Sequence, residues 1–379
     1  MSRDSVTFHN GRIFDGNRLR DGVALRFEHG RATALRPAEK LDGDGEIIDL
    51  AGGILTPGYF DLQVNGGDGV MFNDDPSVDV LRRIAAAHRR LGVKALLPTL
   101  ITDTAEKTRA AIAAATDAVA EGVCGIAGLH LEGPHLSIAR KGAHDPALIR
   151  PMEAADLDAI LTAAQALPAL KVTIAPENVT EDQVRAMASA GVIVSLGHSD
   201  ADYATCRRYF AAGARCVTHL FNAMSQLGNR EPGLVGAALA DGAASAGLIA
   251  DTVHVHPESI RTAWAAKRGP GRIFLVSDAM AVAGTDETSF TLTDRRISRK
   301  NGVLTLPNGT LAGADLDLTT AIRVMVETVG IPLDDALRAA TSTPAALIGR
   351  PLVGPDAQQW QLSKMIRIAP DLSDVKALR

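Results

Sequence analysis

Apolar residues along the chain follow two rhythms that change near residue 53. Over residues 1–50 they fall in short β-like pieces, VTFHNGRIFD and GVALRFEHGRATAL, broken by Asn-Gly, Asp-Gly and His-Gly. Asn-Gly and Asp-Gly suit the positive φ angles of tight hairpins, so this stretch predicts a small antiparallel β unit. From Gly53 the chain shows eight compact apolar runs, at residues 54–65, 94–102, 125–135, 171–177, 192–199, 215–224, 246–256 and 273–280. Between several of them lie stretches with helical periodicity, such as VDVLRRIAAAHRRLG and EKTRAAIAAATDAVAEG. Strands alternating with helices predict a parallel sheet, and eight such units over roughly 250 residues predict a (β/α)8 barrel of the TIM type. A second hairpin signal follows in RKNGVLTLPNGTLAG (299–313), then helical patterns at 317–330 and 333–347. The last 30 residues are weakly patterned and are expected to return to the N-terminal β unit.

Composition narrows the function. The chain has 379 residues, a net charge of −5 and 4% aromatics, which argues against a nucleic-acid surface built from basic patches and stacking rings. Cys124, Cys206 and Cys216 form no CxxC and no disulfide framework, so a reducing compartment is expected. The N-terminus lacks a signal-peptide core, and no run approaches the roughly 20 apolar residues of a membrane span. The expectation is a cytoplasmic protein with no membrane partner.

The polar residues fall at the ends of the runs. Asp61, Gln63 and Asn65 end the first, and His130, Glu132 and His135 the third. Glu177 and Asn178 end the fourth, His198 the fifth, His219 and Asn222 the sixth. His254 and His256 end the seventh, and Asp278 the eighth. The C-terminal strand ends of such a barrel carry its active site. Glu132, His198 and His219 make a catalytic metal set of one carboxylate and two imidazoles, with positions left for water. Any one of these histidines alone reads as a satisfied core or rim residue; three strand-end ligands together do not. Asp278 can take and return a proton beside a metal, although a helix N-cap or a fourth ligand are also readings of it. His144, in the loop after the third run, has only its position over the rim in its favour. His130 shares a strand face with Glu132 and reads as packing or support. Arg230 and His254 suit an anion, with a surface ion pair as the equal alternative for Arg230. Backbone N–H groups of Asn222 and Ala223 could face the same anion. His9, His29 and His88 read as uninvolved.

Nine segments, LTPGYFDLQVNG, GLHLEGPHL, KGAHDP, LGHSDA, THLFNAM, REPGLVGA, HVHP, VSDAM and GTLAGA, run in order over about residues 53 to 314. With them the chain resembles the N-acetylglucosamine-6-phosphate deacetylases of the amidohydrolase superfamily. The resemblance implies a metal-dependent (β/α)8 barrel over 53–345 and a small β-sandwich from residues 1–52 plus 346–379, usually in a homodimer. It implies one divalent metal on Glu132, His198 and His219: zinc, or iron, cobalt or manganese in its place. Asp278 would be general base and then acid, and His144 would orient the acetyl carbonyl or the sugar. Arg230, His254, Asn222 and Ala223 would hold a phosphorylated amino sugar, Arg230 from the neighbouring subunit.

The chain departs from this pattern in two places. Many relatives carry His-x-His at the end of strand 1 and bind two metals. Here the position reads Gln63-Val64-Asn65, and amides are poor ligands for zinc-like metals, so the expectation is a mononuclear site with Gln63 and Asn65 beside it. The tail matches poorly, with IAPDLSD where the family ends in a Gly-x-x-Ala-Asp pattern. The implied reaction is hydrolysis of N-acetylglucosamine 6-phosphate to glucosamine 6-phosphate and acetate. The galacto epimer or another amide is the alternative, and a non-catalytic binding protein on the same barrel is the distant one.

Overall fold

A computed structural model describes residues 5–40, 45–292, 295–352 and 360–378. Eight strands pair in parallel, in chain order: β1 (Tyr59–Val64), β2 (Val93–Ile101), β3 (Leu129–Glu132), β4 (Leu170–Ile174), β5 (Ile193–Leu196), β6 (Cys216–Val217), β7 (Ser245–Leu248) and β8 (Ile273–Leu275). The seam between first and last closes beyond β8, where Val64 bridges Ala279 and the Asp278 N–H donates to Gln63 O (3.1 Å). All nine residues of β2 are buried. Strands covered on both faces read as unbroken apolar runs, which is why this layer was visible in the sequence.

Helices wrap the strands, and their starts follow local chemistry. α1 (Val78–Arg90) is capped by the Ser77 side chain and α2 (Ala105–Ala120) by that of Thr104. α3 (Ala154–Ala166) and α4 (Glu181–Ser189) each carry a capping box. α5 (Tyr203–Ala211) starts on Asp202, α6 (Gly233–Ala240) follows β6 and α7 (Pro257–Ala266) follows β7, while helices nearer the C-terminus cover β8. Each side-chain cap satisfies an N–H the helix cannot, worth roughly 1 kcal/mol. The predicted helix at 317–330 forms as Leu318–Arg323 and then widens to a π-helix over Val324–Val329. The predicted helix at 333–347 divides into Leu333–Ala340 and Ser342–Leu347.

Both chain ends build smaller sheets beside the barrel. One sheet orders Arg31–Pro37, Val23–Glu28, Ser5–His9 and Glu46–Asp49; the other orders Val375–Ala377, Met365–Ile368, Ile54–Pro57, Arg12–Phe14 and Leu19–Arg20. Phe8, Phe27, Leu25, Leu55, Trp360 and Met365 share one core between them. Residues 360–368 of the tail pack with the N-terminal unit, and residues 353–359 lie outside the described ones. The N-terminal unit is mixed rather than antiparallel: Ser5–His9 pairs in parallel with Glu46–Asp49, and Arg12–Phe14 with Ile54–Pro57. These pairs are joined by long connections, which hairpin signals cannot report. The run 54–65 also divides. Its first half joins this sheet and its second is β1, with Gly58 at the break packed so closely that a Cβ there would meet Lys94 Cγ at 2.0 Å.

The 299–313 signal gives a true hairpin. Arg295–Lys300 and Val303–Thr305 pair across Asn301 and Gly302, both at positive φ, and Ser289–Leu292 adds a third strand. This sheet packs Phe290, Leu292, Ile297 and Leu304 over Met71 and Met280 at the barrel rim. Among the described residues no helix is long and apolar enough to cross a membrane.

Candidate active site and metal centre

The strand ends bring four side chains together. Glu132 ends β3, while His198, His219 and Asp278 lie two or three residues past β5, β6 and β8. His198, His219 and Asp278 all take positive φ, at 47°, 32° and 50°. Such backbone costs a non-glycine residue roughly 1–3 kcal/mol and persists only where the surroundings impose it.

The donor set fits a metal ion. One ligand atom from each of Glu132, His198 and His219 lies within 4.8 Å of the others, and all three residues are buried. His198 Nε2 stands 3.0 Å from His219 Nε2, with Glu132 Oε1 at 3.4 and 3.1 Å from the two rings. His198 Nδ1 donates to the Arg140 carbonyl (2.9 Å), so its Nε2 turns a lone pair inward. Two ring nitrogens and a carboxylate pointed at one another form an electron-rich set that calls for a cation. Burial pushes the Glu132 carboxyl up, but the neighbouring His198 and His219 hold it well below the usual carboxylate range. Burial likewise opposes a charge on His219, yet Glu132 raises that ring above its ordinary value. The buried His219 Nδ1 has no partner among the described residues.

Asp278 faces this set from the far side of the seam. Gln63 Nε2 donates to Glu132 Oε1 (3.1 Å) and to Asp278 Oδ1 (3.1 Å), and Asn65 Nδ2 donates to the same Asp278 oxygen (2.7 Å). Gln63 thus stands between the two carboxylates, and both amides bond Asp278. They saturate Asp278 Oδ1 and leave Oδ2 as the oxygen that can take a proton. Burial and the nearby Glu132 raise the Asp278 carboxyl above its ordinary value.

His144 is buried rather than a surface residue. Its Nδ1 accepts the Thr102 N–H (3.3 Å) and lies 2.7 Å from Thr102 Oγ1. A ring whose Nδ1 accepts a backbone donor carries its proton on Nε2. Burial and the neighbouring His198 push His144 down to about 3, so it is a neutral N–H donor at working pH. Gly133, at φ 92°, lets the β3 loop pass here; a Cβ would meet Thr102 Oγ1 at 2.2 Å. Beneath the site His130 bonds Thr99 and Thr173, a purely internal role.

These groups line a cavity of about 400 Å³ that also receives Asn65, Asn222, Ala223 and His254. Arg230 is exposed and is not among the residues lining it. His135 bonds the Arg150 carbonyl, His256 caps α7, and Glu177 holds Ser199 and the Asp200 N–H, so these strand-end residues support loops. His88 is buried and bonds Gly66 O (2.9 Å). Sequence reasoning did not single out Arg140, Met280, Leu292 or Leu311, which also line the cavity. Of these, Met280 lies in the segment VSDAM and Leu311 in GTLAGA, while Arg140 and Leu292 lie in none of the nine segments. Thr102 was missed because its contact with His144 spans 42 residues.

The amidohydrolase family model matches residues 54–355. The chain is 43% identical over 312 residues to an N-acetylgalactosamine-6-phosphate deacetylase from Shewanella sp. (strain ANA-3), covering 82% of this chain and 78% of that one. It is 37% identical over 319 residues to an N-acetylglucosamine-6-phosphate deacetylase from Haemophilus influenzae, covering 83% and 82%. The solved N-acetylglucosamine-6-phosphate deacetylase from Pasteurella multocida superposes with a TM-score of 0.90 at 32% identity, covering 99% of this chain and 98% of that one.

Proposed function

This chain belongs to the amidohydrolase family of metal-dependent hydrolases, and from that premise we propose that it hydrolyses the N-acetyl group of N-acetylglucosamine 6-phosphate to acetate and glucosamine 6-phosphate. The observation that carries the reading is the convergence of Glu132, His198 and His219 on one point, facing Asp278 across the cavity. Glu132, His198 and His219 would hold one divalent ion, zinc first. When bound, that ion supplies a Lewis acid that polarises the acetyl carbonyl and lowers the pKa of water from about 15.7 toward about 7.

This chain's own residues do the rest. Asp278 Oδ2 accepts a proton from the attacking water as its oxygen bonds the acetyl carbon. His144 Nε2–H donates to the oxygen on which charge develops. Asp278 then delivers its proton to the amide nitrogen as the C–N bond breaks, because an amine leaves poorly as an anion. Gln63 and Asn65 fix the carboxylate for both transfers. Asn222, Ala223 and His254 take the sugar phosphate from this chain, and Arg230 reaches the cavity of a second copy in a homodimer. Its exposure outside its own cavity supports that, as do exposed Ile138, Leu227 and Val253 on three loops of the same rim. The shared core of Phe8, Phe27, Trp360 and Met365 supports a sandwich of residues 1–52 and 346–379 beside a barrel over 53–345, with Ile54–Pro57 joining the sandwich sheet at the junction. Three free cysteines fit the cytoplasm.

Chelation tests the reading. Acetate release should stop in metal-free protein and return with zinc at about one ion per chain. Turnover without metal, or a requirement for two ions, would contradict it. The galacto epimer is the second reading, favoured by the 43% identity to an N-acetylgalactosamine-6-phosphate deacetylase. The ratio of kcat/KM on the two epimers separates them.

A further inference from the structure

The loop between β7 and α7 holds a buried acid with no part in the chemistry above. Asp251 and His254 have side chains only 7% exposed and meet at 2.6 Å, Asp251 Oδ2 against His254 Nδ1. Asp251 Oδ1 also accepts the N–H groups of Val253 (2.9 Å) and His254 (2.8 Å), across Thr252 at φ 66°. One carboxylate therefore folds the turn and grips the ring. With Nδ1 committed, Nε2 is the nitrogen His254 can offer to the cavity that it lines.

The charge of the pair follows from elementary chemistry. Burial alone would raise the Asp251 carboxyl, but the His254 bond, the His254 charge and the two loop amides hold it below its ordinary value. An ionised carboxylate on Nδ1 takes that proton as its hydrogen bond. With Asp251 held at Nδ1, the ring lies between the buried carboxylate and any anion that reaches Nε2.

We propose that Asp251 is a positioning residue that holds His254 with an Nε2–H directed into the cavity, as a charge-assisted donor to the phosphate of a sugar phosphate. The inference rests on the substrate reading above. Such bonds are about twice as strong as neutral ones. Asp251→Asn keeps an oxygen for the loop amides but removes the charge, so His254 becomes at best a neutral donor.

The test uses the full-length, metal-loaded protein and glucose 6-phosphate, which carries the phosphate and no cleavable amide. Calorimetry should show Asp251→Asn binding it about tenfold more weakly than the native chain. The kcat/KM ratio of N-acetylglucosamine 6-phosphate over N-acetylglucosamine should fall by the same factor, through KM. Asp251→Glu should recover part of the loss. Adding Asp251→Asn to His254→Gln should cost nothing further. Native protein that fails to bind glucose 6-phosphate would sink the substrate reading. Native binding matched by Asp251→Asn would sink only this inference, as would equal losses on both sugars, which would leave Asp251 a folder of its turn. If Asp251→Asn does not fold, the His254→Gln and Asp251→Glu arms decide. Loss of phosphate preference in the first and its retention in the second supports the pair; the reverse overturns it.

Discussion

Asp278 and Gln63 show how little the strand-end chemistry leaves to chance. Asp278 has one oxygen tied by two amides and one free, the arrangement a proton carrier needs. Asp278→Asn should keep metal and sugar phosphate binding while kcat falls by about 10³-fold, since general acid–base catalysis contributes roughly 10²–10⁴. Metal analysis and initial rates on one preparation check this, and lost metal would show that Asp278 is a ligand instead. Gln63 separates the two carboxylates, so Gln63→Leu sets them against each other without a donor. Metal affinity should drop by about 10–100-fold, measured by competition with a chromogenic chelator. Glu132, His198, His219 and Asp278 were legible because each stands at the end of an apolar run. Thr102, Arg140 and Asp251 were not. Their partners come from other rim loops or from a tight turn, and neither leaves a periodic trace.

At the scale of elements, the eight barrel strands were legible because burial on both faces makes their runs continuous. β6 has only two residues, yet its run reads 215–224, because Thr218, His219, Leu220 and Met224 beyond it are also buried as the chain turns through His219. The break at Gly58 was hidden, since apolar residues continue across it and only a close approach between segments reveals it. Helix α1 is locked to the strand at Gly66–Gly67 by His88, whose buried ring is pushed down from 6.5 to about 4. The unfolded chain binds a proton there below pH 6.5 that the folded chain refuses until about pH 4. The stabilisation is thus complete above pH 6.5 and declines on acidification, by up to about 1.4 kcal/mol per pH unit for one proton. Thermal melts at pH 7 and pH 5 should show His88→Gln losing less stability between them than the native protein. An equal loss in both would move the pH dependence to the other buried histidines, His130, His135 and His144.

The whole molecule joins two architectures through its ends. Ile54–Pro57 is flanked by Met365–Ile368 on one side and Arg12–Phe14 on the other, so the last residues complete a sheet begun by the first. Ile366 is fully buried in that sheet. Ile366→Ala should cost about 2–5 kcal/mol in denaturant unfolding while kcat/KM changes little, because no site residue lies nearby in sequence. The expected return of the tail to the N-terminal unit was legible only as an absence of helical pattern, since the pairing joins residues some 300 apart, 54 to 368. On this frame the barrel mouth is a metal-dependent amide hydrolase for a phosphorylated amino sugar. The most direct measurement is acetate release by metal-quantified protein from N-acetylglucosamine 6-phosphate, its galacto epimer and unphosphorylated N-acetylglucosamine. Release should be rapid from a sugar phosphate, the gluco form first, and far slower from the unphosphorylated sugar. No acetate from either phosphate by protein carrying one metal per chain would contradict it.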